Sequence, residues 1–303
     1  MVEELLKKYV RHLELERSIS PLTVRNYTSD VQGFLYFLGE NGIDSLDKVS
    51  RSTLRLYLGS LHEQGIARSS ISRKVSALRS FYGYLRREKL VDTDPLSTLS
   101  GPKTEKRLPT FLTHEEMARL IEAPDASTPQ GLRDRALLEL LYAAGLRVSE
   151  IVTLDLNDID LGSRQIRVWG KGSKERMALM GIPAAEALRL YLEHGRIKLE
   201  GKALTQAVFL NRFGERIAVR RVQHIIKKCA QQAGLEMRVF PHIMRHTFAT
   251  HLLDGGADLR VVQDLLGHAR LSSTQVYTHV TQSQIRRNYL AAHPRSESKK
   301  GEQ

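Results

Sequence analysis

The sequence predicts a mainly α protein with a small β-sheet, built as an N-terminal all-α domain followed by a C-terminal α+β domain. Three observations predict it. Apolar residues recur at three- and four-residue steps through most of the chain, the mark of amphipathic helices. One short stretch, Arg164-Gln165-Ile166-Arg167-Val168-Trp169, alternates polar and apolar instead, as a half-buried strand does. A basic run with glycine and prolines over 99–109 interrupts the periodicity. The domains are therefore set at 1–100 and 113–303, with an extended linker at 101–112.

An opening helix is expected over about 2–16. In the next, Val24, Tyr27, Val31, Phe34, Leu35 and Leu38 form one face, with Ser20-Pro21 as cap and first helical residue. A third fits 51–64, closed by Gly65. A fourth runs over about 69–87, with Ile71, Val75, Leu78, Tyr82 and Leu85 inward. The second domain opens on Thr113-His114-Glu115-Glu116, a capping-box pattern. Leu137, Leu140, Leu141 and Ala144 then make a buried helix stripe ended by Gly145. After the strand at 164–169, Gly170-Lys171-Gly172-Ser173-Lys174 supplies a turn and 175–179 returns as its partner. Helices follow at about 184–196, 217–234, 245–254, 259–266 and 272–289, and the polar tail after Pro294 is expected to be disordered.

Composition narrows the function. A hydrophobic fraction of 41% suits a globular chain, and no window approaches the roughly 18–20 apolar residues of a membrane helix. The acidic opening Met1-Val2-Glu3-Glu4 does not read as a signal peptide. One cysteine, Cys229, allows no intrachain disulfide, and a cytoplasmic protein is expected. The 46 Lys and Arg against 34 Asp and Glu give a net charge of +12, which favours a polyanionic partner through counterion release. Arg68, Arg73, Lys74, Arg79, Arg86, Arg87 and Lys89 gather part of that charge in one stripe.

Several polar residues stand out, each with a bland reading. Arg147 could complement a helix C-terminus. Lys171, between two glycines, could sit in an ordinary turn, and the spacing is not that of a Walker loop. His242 and Arg245 share a face at a helix start, a pairing suited to phosphate. Their neighbourhood has no cysteine or carboxylate cluster to make a metal site. His268 could cap a helix end, and Tyr277 could be a packing residue.

Their order is more specific than any one of them. The stretches Ala144-Gly145-Leu146-Arg147-Val148-Ser149-Glu150, Gly170-Lys171-Gly172-Ser173-Lys174-Glu175-Arg176, His242-Ile243-Met244-Arg245-His246-Thr247, Leu265-Leu266-Gly267-His268 and Thr274-Gln275-Val276-Tyr277-Thr278-His279 resemble, in sequence, the motifs of the tyrosine recombinase (phage integrase) family. The resemblance covers nearly the whole chain and is strongest to bacterial Xer-type recombinases. Ile243-Met244 and Met180-Gly181-Ile182-Pro183 depart from the usual motifs without removing a functional group.

The resemblance implies a SAM-like, core-binding N-terminal domain and a tyrosine recombinase catalytic domain. It implies Tyr277 as nucleophile, Arg147 and Arg245 on the non-bridging phosphate oxygens, and Lys171 as general acid. His242 would handle the tyrosine proton, His268 would bond a phosphate oxygen, and Glu150 would orient the shell. Tyr289 is the rival nucleophile. No metal and no nucleotide cofactor is expected. Double-stranded DNA is the expected partner, met by Thr23, Arg25, Ser72, Arg73 and Lys74 in the first domain and by Arg220, Arg221 and Lys227 in the second. The family context also implies a homo- or hetero-tetramer on paired sites, with a C-terminal helix exchanged between subunits. A second Xer-type recombinase and a septal DNA translocase are candidate partners, with chromosome dimer resolution at a dif-like site the expected role. The alternatives are a mobile-element integrase, a type IB topoisomerase and a DNA-binding module without catalysis.

Overall fold

The computed structural model describes residues 2–15, 21–97, 111–169, 175–201, 204–267 and 282–297. The chain divides into two compact units, Met1–Arg107 and Leu108–Gln303. Among the described residues no helix is long and apolar enough to cross a membrane.

The first unit contains α1 (Val2–Leu15), α2 (Pro21–Glu40), α3 (Arg51–Glu63) and α4 (Arg68–Arg87). Ser20, the expected cap of α2, lies outside the described residues. Ser50 caps α3: its Oγ accepts from the Thr53 N–H at 3.2 Å, and its own N–H donates to Thr53 Oγ1 at 3.3 Å. The predicted stripe of α4 is buried and meets Phe34 and Leu38 of α2, Leu54 and Tyr57 of α3, and Tyr9 and Leu13 of α1 in one core. Truncating a fully buried leucine of that core, such as Leu78, would cost on the order of 2–5 kcal/mol.

The second unit is organised around α6 (Pro129–Ala143), buried on nearly every side. Thr128 caps it by accepting from the Gly131 N–H at 3.0 Å, with Pro129 at the first helical position. Before it, α5 (His114–Glu122) carries the predicted capping box: Thr113 N–H donates to Glu116 Oε2 at 2.8 Å, and Glu116 N–H donates to Thr113 Oγ1 at 3.2 Å. A short α7 (Val148–Thr153), which the periodicity does not predict, follows α6. The sheet is antiparallel in the order β1 (Ile159–Asp160), β2 (Gln165–Trp169), β3 (Glu175–Leu179), with Val168 opposite Arg176 and Trp169 opposite Glu175. Ile166, Val168 and Ala178 turn into the core.

The helix expected at 184–196 starts earlier, at Ile182, because Pro183 is tolerated in a first turn. It comprises α8 (Ile182–Leu190), a π-turn over Tyr191–Arg196 and α9 (Ile197–Leu199). Then come α10 (Val219–Gln232), α11 (Pro241–Asp254), α12 (Leu259–Leu266) and α13 (Gln282–Ala292). Of the helix expected at 272–289, residues 272–281 lie outside the described residues. α11 begins at Pro241 rather than 245, so His242 and Arg245 both belong to its opening turns.

The expected disorder after Pro294 needs correcting over 295–297. Arg295 donates to both carboxylate oxygens of Glu139, at 3.0 Å from its Nε to Oε2. The Ser296 carbonyl accepts from the Ile182 N–H at 3.2 Å, and its hydroxyl donates to the Leu290 carbonyl at 2.8 Å. The reason is electrostatic: Glu139 is buried in α6, and a buried carboxylate needs a cation that only tertiary structure brings to it.

Candidate active site

The site is founded on the end of α6. Gly145 takes φ +55°, and a Cβ there would fall 2.5 Å from the Phe248 ring, so both conformation and packing call for glycine. The turn sends Leu146 into the core and makes Arg147 the residue that starts α7. An arginine suited to ending one helix thus begins the next. Its N–H donates to Glu150 Oε2 at 2.8 Å and its guanidinium to Oε1 at 2.6 Å. Glu150 is 3% exposed, while the Arg147 side chain is partly open to solvent.

Arg245 approaches from α11. It is 7% exposed and donates to the Gly145 carbonyl and to the Leu266 carbonyl at the end of α12. Burial, and then the charge of Arg147, push its pKa down to about 10, so it remains cationic at neutral pH. Arg176 enters from β3. Its guanidinium donates to Glu150 Oε2 at 2.9 Å and to the Leu265 carbonyl at 3.0 Å. Burial lowers its pKa, and Glu150 opposes that shift. Two guanidiniums, of Arg147 and Arg176, therefore share one carboxylate, and the charge of Arg245, held by backbone carbonyls beside them, leaves an excess of positive charge. Such a cluster is preorganised for an anion with two or more acceptor oxygens.

His242 is exposed in the first turn of α11. Lys171, His268 and Tyr277 lie outside the described residues. Lys171 belongs to the five-residue connection between the paired strands β2 and β3, and His268 follows Gly267 directly in the chain. Of the predicted catalytic residues, the structure thus brings together Arg147, Glu150 and Arg245. Tyr289, the rival nucleophile, is 1% exposed within the core, and burial raises its pKa. A phenol sealed in this way cannot reach a phosphate while α13 stays docked.

Sequence reasoning does not single out Arg176. A signal for it exists all the same: alternation in β3 sets Arg176 on the same face as the buried Ala178, where an apolar residue is the norm. Among the expected DNA contacts, Arg25 is exposed on α2, and Thr23 and Ser72 are half-buried on α2 and α4. Arg73 and Lys74 are less free than expected. Both pair with the buried Asp30 of α2, Lys74 at 3.1 Å. Asp30 also escapes a reading by sequence, although it falls beside the apolar face of its helix. In the second unit Arg220, Arg221 and Lys227 lie on the exposed face of α10, opposite the buried Val222, Ile225, Ile226 and Cys229.

Comparison with known proteins bears on the family and the fold. Residues 110–284 match the phage integrase family, and residues 6–89 match the phage integrase N-terminal SAM-like domain. The chain is 46% identical to tyrosine recombinase XerC of Bacillus pumilus over 97% of both chains. It is 39% identical to tyrosine recombinase XerD of Staphylococcus haemolyticus, over 97% of this chain and all of that one. Among solved structures, XerH recombinase bound to a palindromic difH substrate is similar with a TM-score of 0.70 and 25% identity, over 84% of this chain and 75% of that one. A lambda integrase dimer bound to a core site shares the fold, with a TM-score of 0.68 at 19% identity over 92% of this chain and 98% of that one. With its fold, its arginine cluster and near full-length relatives in agreement, the chain belongs to the phage integrase family of tyrosine recombinases, enzymes that cleave and rejoin DNA.

Proposed function

We propose that this chain is an Xer-type recombinase that exchanges strands at a dif-like site and thereby resolves chromosome dimers during cell division. The observation that carries the reading is the cluster of Arg147, Arg176 and Arg245 about the single carboxylate Glu150, because it supplies fixed positive charge where a phosphodiester gains negative charge. The names of the relatives, and the difH substrate of the XerH complex, support the choice of site.

In the reaction, the Tyr277 hydroxyl oxygen attacks the scissile phosphorus and the bond from phosphorus to the 5′-oxygen breaks. His242 takes the phenol proton, and Lys171 gives a proton to the departing 5′-oxygen. Arg147, Arg245 and His268 hold the non-bridging oxygens. The product is a 3′-phosphotyrosine and a free 5′-hydroxyl, which conserves the bond energy for rejoining. Attack by a 5′-hydroxyl of the partner duplex reverses the step and passes through a Holliday junction. Guanidinium and ammonium groups carry the phosphate charge, so no metal or nucleotide is required.

We place double-stranded DNA against the exposed basic face of α10 and the α2 and α4 residues Thr23, Arg25, Ser72, Arg73 and Lys74. A tetramer on paired sites, cytoplasmic and working with a second Xer-type recombinase and a septal DNA translocase, completes the proposal. In the free chain α13 packs on its own α11 and α12 with Tyr289 buried, so exchange between subunits requires that seat to be vacated.

Selection of bound and cleaved duplexes from a random library tests the role. A recovered site occurring once per chromosome supports dimer resolution, whereas a site at the ends of mobile DNA supports an integrase. Relaxation of supercoiled plasmids lacking any such site would point to a topoisomerase.

A further inference from the structure

We infer that Arg176 is a positioning residue for strand cleavage: it shares the Glu150 carboxylate with Arg147 and so keeps the Arg147 guanidinium free to meet the scissile phosphate. The inference rests on the reading of Arg147 as a phosphate ligand.

Glu150 Oε2 accepts from the Arg147 N–H at 2.8 Å and from Arg176 at 2.9 Å, while Oε1 accepts from the Arg147 guanidinium at 2.6 Å. The second terminal nitrogen of Arg176 is committed to the Leu265 carbonyl at 3.0 Å. With both ends of its fork occupied and its side chain 13% exposed, Arg176 is a strut rather than a phosphate ligand. The fit leaves little slack. Gly267 takes φ +64°, and a Cβ there would lie 2.8 Å from Arg176 Cδ and 2.9 Å from its Nε. The glycine that ends α12 thus makes room for this arginine as well as turning the chain. One side chain ties β3, α7 and the end of α12 to a single carboxylate.

Removing Arg176 changes the charge balance in a definite way. A buried carboxylate left with one cation draws that cation in with both oxygens. Arg147 would then be spent on Glu150, and the phosphate would lose neutralisation in the transition state. A simple folding role predicts no such dependence on phosphate charge.

The test compares covalent-adduct formation in single turnover on two nicked suicide duplexes carrying the selected site. One has the natural phosphodiester at the cleavage position, and the other a methylphosphonate, which lacks the non-bridging negative charge. Arg176→Ala should bind a half-site within about threefold of wild type and cleave the phosphodiester about 10- to 100-fold more slowly. On the methylphosphonate its rate should return to within about threefold of wild type on that substrate. Arg147→Ala, run alongside, should recover in the same way. Recovery of Arg147→Ala but not of Arg176→Ala overturns the inference alone, as does an Arg176→Ala rate equal to wild type on both duplexes. Failure of Arg147→Ala to recover overturns the phosphate reading and the inference with it. If Arg176→Ala does not melt cooperatively, Arg176→Gln, which removes the charge but keeps much of the side chain, takes its place. Slower cleavage of the phosphodiester with recovery on the methylphosphonate supports the inference, and a wild-type rate on the phosphodiester or no recovery on the methylphosphonate overturns it.

Discussion

The Arg245 guanidinium donates to the backbone carbonyl of Gly145, two residues before Arg147, so the two arginines proposed to grip the phosphate are built on one another. The φ of +55° at Gly145 and the Phe248 ring against it fix where that carbonyl points. Gly145→Ala should therefore do double damage. Left-handed strain and the clash should cost about 1–3 kcal/mol of stability. Adduct formation should fall at least about tenfold, because the Arg245 anchor moves. Thermal melting and single-turnover cleavage check the two effects separately, and wild-type values in both would show that the turn is not a foundation of the site.

Lys171 is tested through its leaving group. Lys171→Ala should slow cleavage of ordinary DNA by about 10²- to 10⁴-fold, the range for a lost general acid. Sulfur in place of the 5′-bridging oxygen should restore most of the rate, because a thiolate departs without a proton. A sulfur substrate cleaved no better by the variant would make Lys171 a phosphate ligand instead.

Acid should weaken the second unit through His293. This residue is buried beside Tyr142, Phe248 and Tyr289, with Arg295 and His251 nearby, and its Nδ1 accepts from the Arg295 N–H at 3.2 Å. Burial first, and then the neighbouring His251, push its pKa down to about 3. The folded value lies below the unfolded one near 6.5, so the stability is whole above about pH 6.5 and is lost as pH falls towards 3. At pH 5 the loss from this one group is about 2 kcal/mol. Urea unfolding followed by fluorescence of Trp169, the sole tryptophan, should show it, since Trp169 lies in the same unit. His293→Gln should flatten that part of the pH dependence, and an unchanged slope would place the proton uptake elsewhere.

Binding should report the basic face of α10. Arg220→Ala with Arg221→Ala should reduce the slope of log affinity against log salt by about 1.8, at roughly 0.9 per phosphate contact. The loss should be similar for specific and random duplexes. A changed sequence preference at constant slope would make these residues base readers.

Much of this was legible in the sequence because local rules agreed with the fold. The stripe of α4, the Thr113 capping box and the strand pair 164–169 and 175–179 each depend on neighbours along the chain. Where long-range partners decide, legibility ended. Two-residue β1 exists only through pairing of Ile159 with Ile166 and of Asp160 with Gln165. Six-residue α7 is held by the bonds of Arg147 and Glu150, which no propensity reveals. Arg295 reads as tail until Glu139 is seen buried beneath it, and Arg73 and Lys74 read as free cations until Asp30 is found between the helices. Within the site, motif order pointed to Arg147, Glu150 and Arg245. Arg176 needed the distance to Glu150, because an arginine in a strand looks like surface until its face is known.

The central claim is that Tyr277 carries the DNA strand during exchange. The most direct measurement is mass spectrometry of the adduct trapped on a nicked suicide duplex, in excess chelator and without nucleoside triphosphate, for wild type and Tyr277→Phe. Wild type should yield a peptide containing Tyr277 esterified to the 3′-phosphate. Tyr277→Phe should bind the duplex as tightly and give no adduct. An adduct at normal yield in Tyr277→Phe, a linkage mapped to another residue, or a strict need for divalent metal would contradict the account.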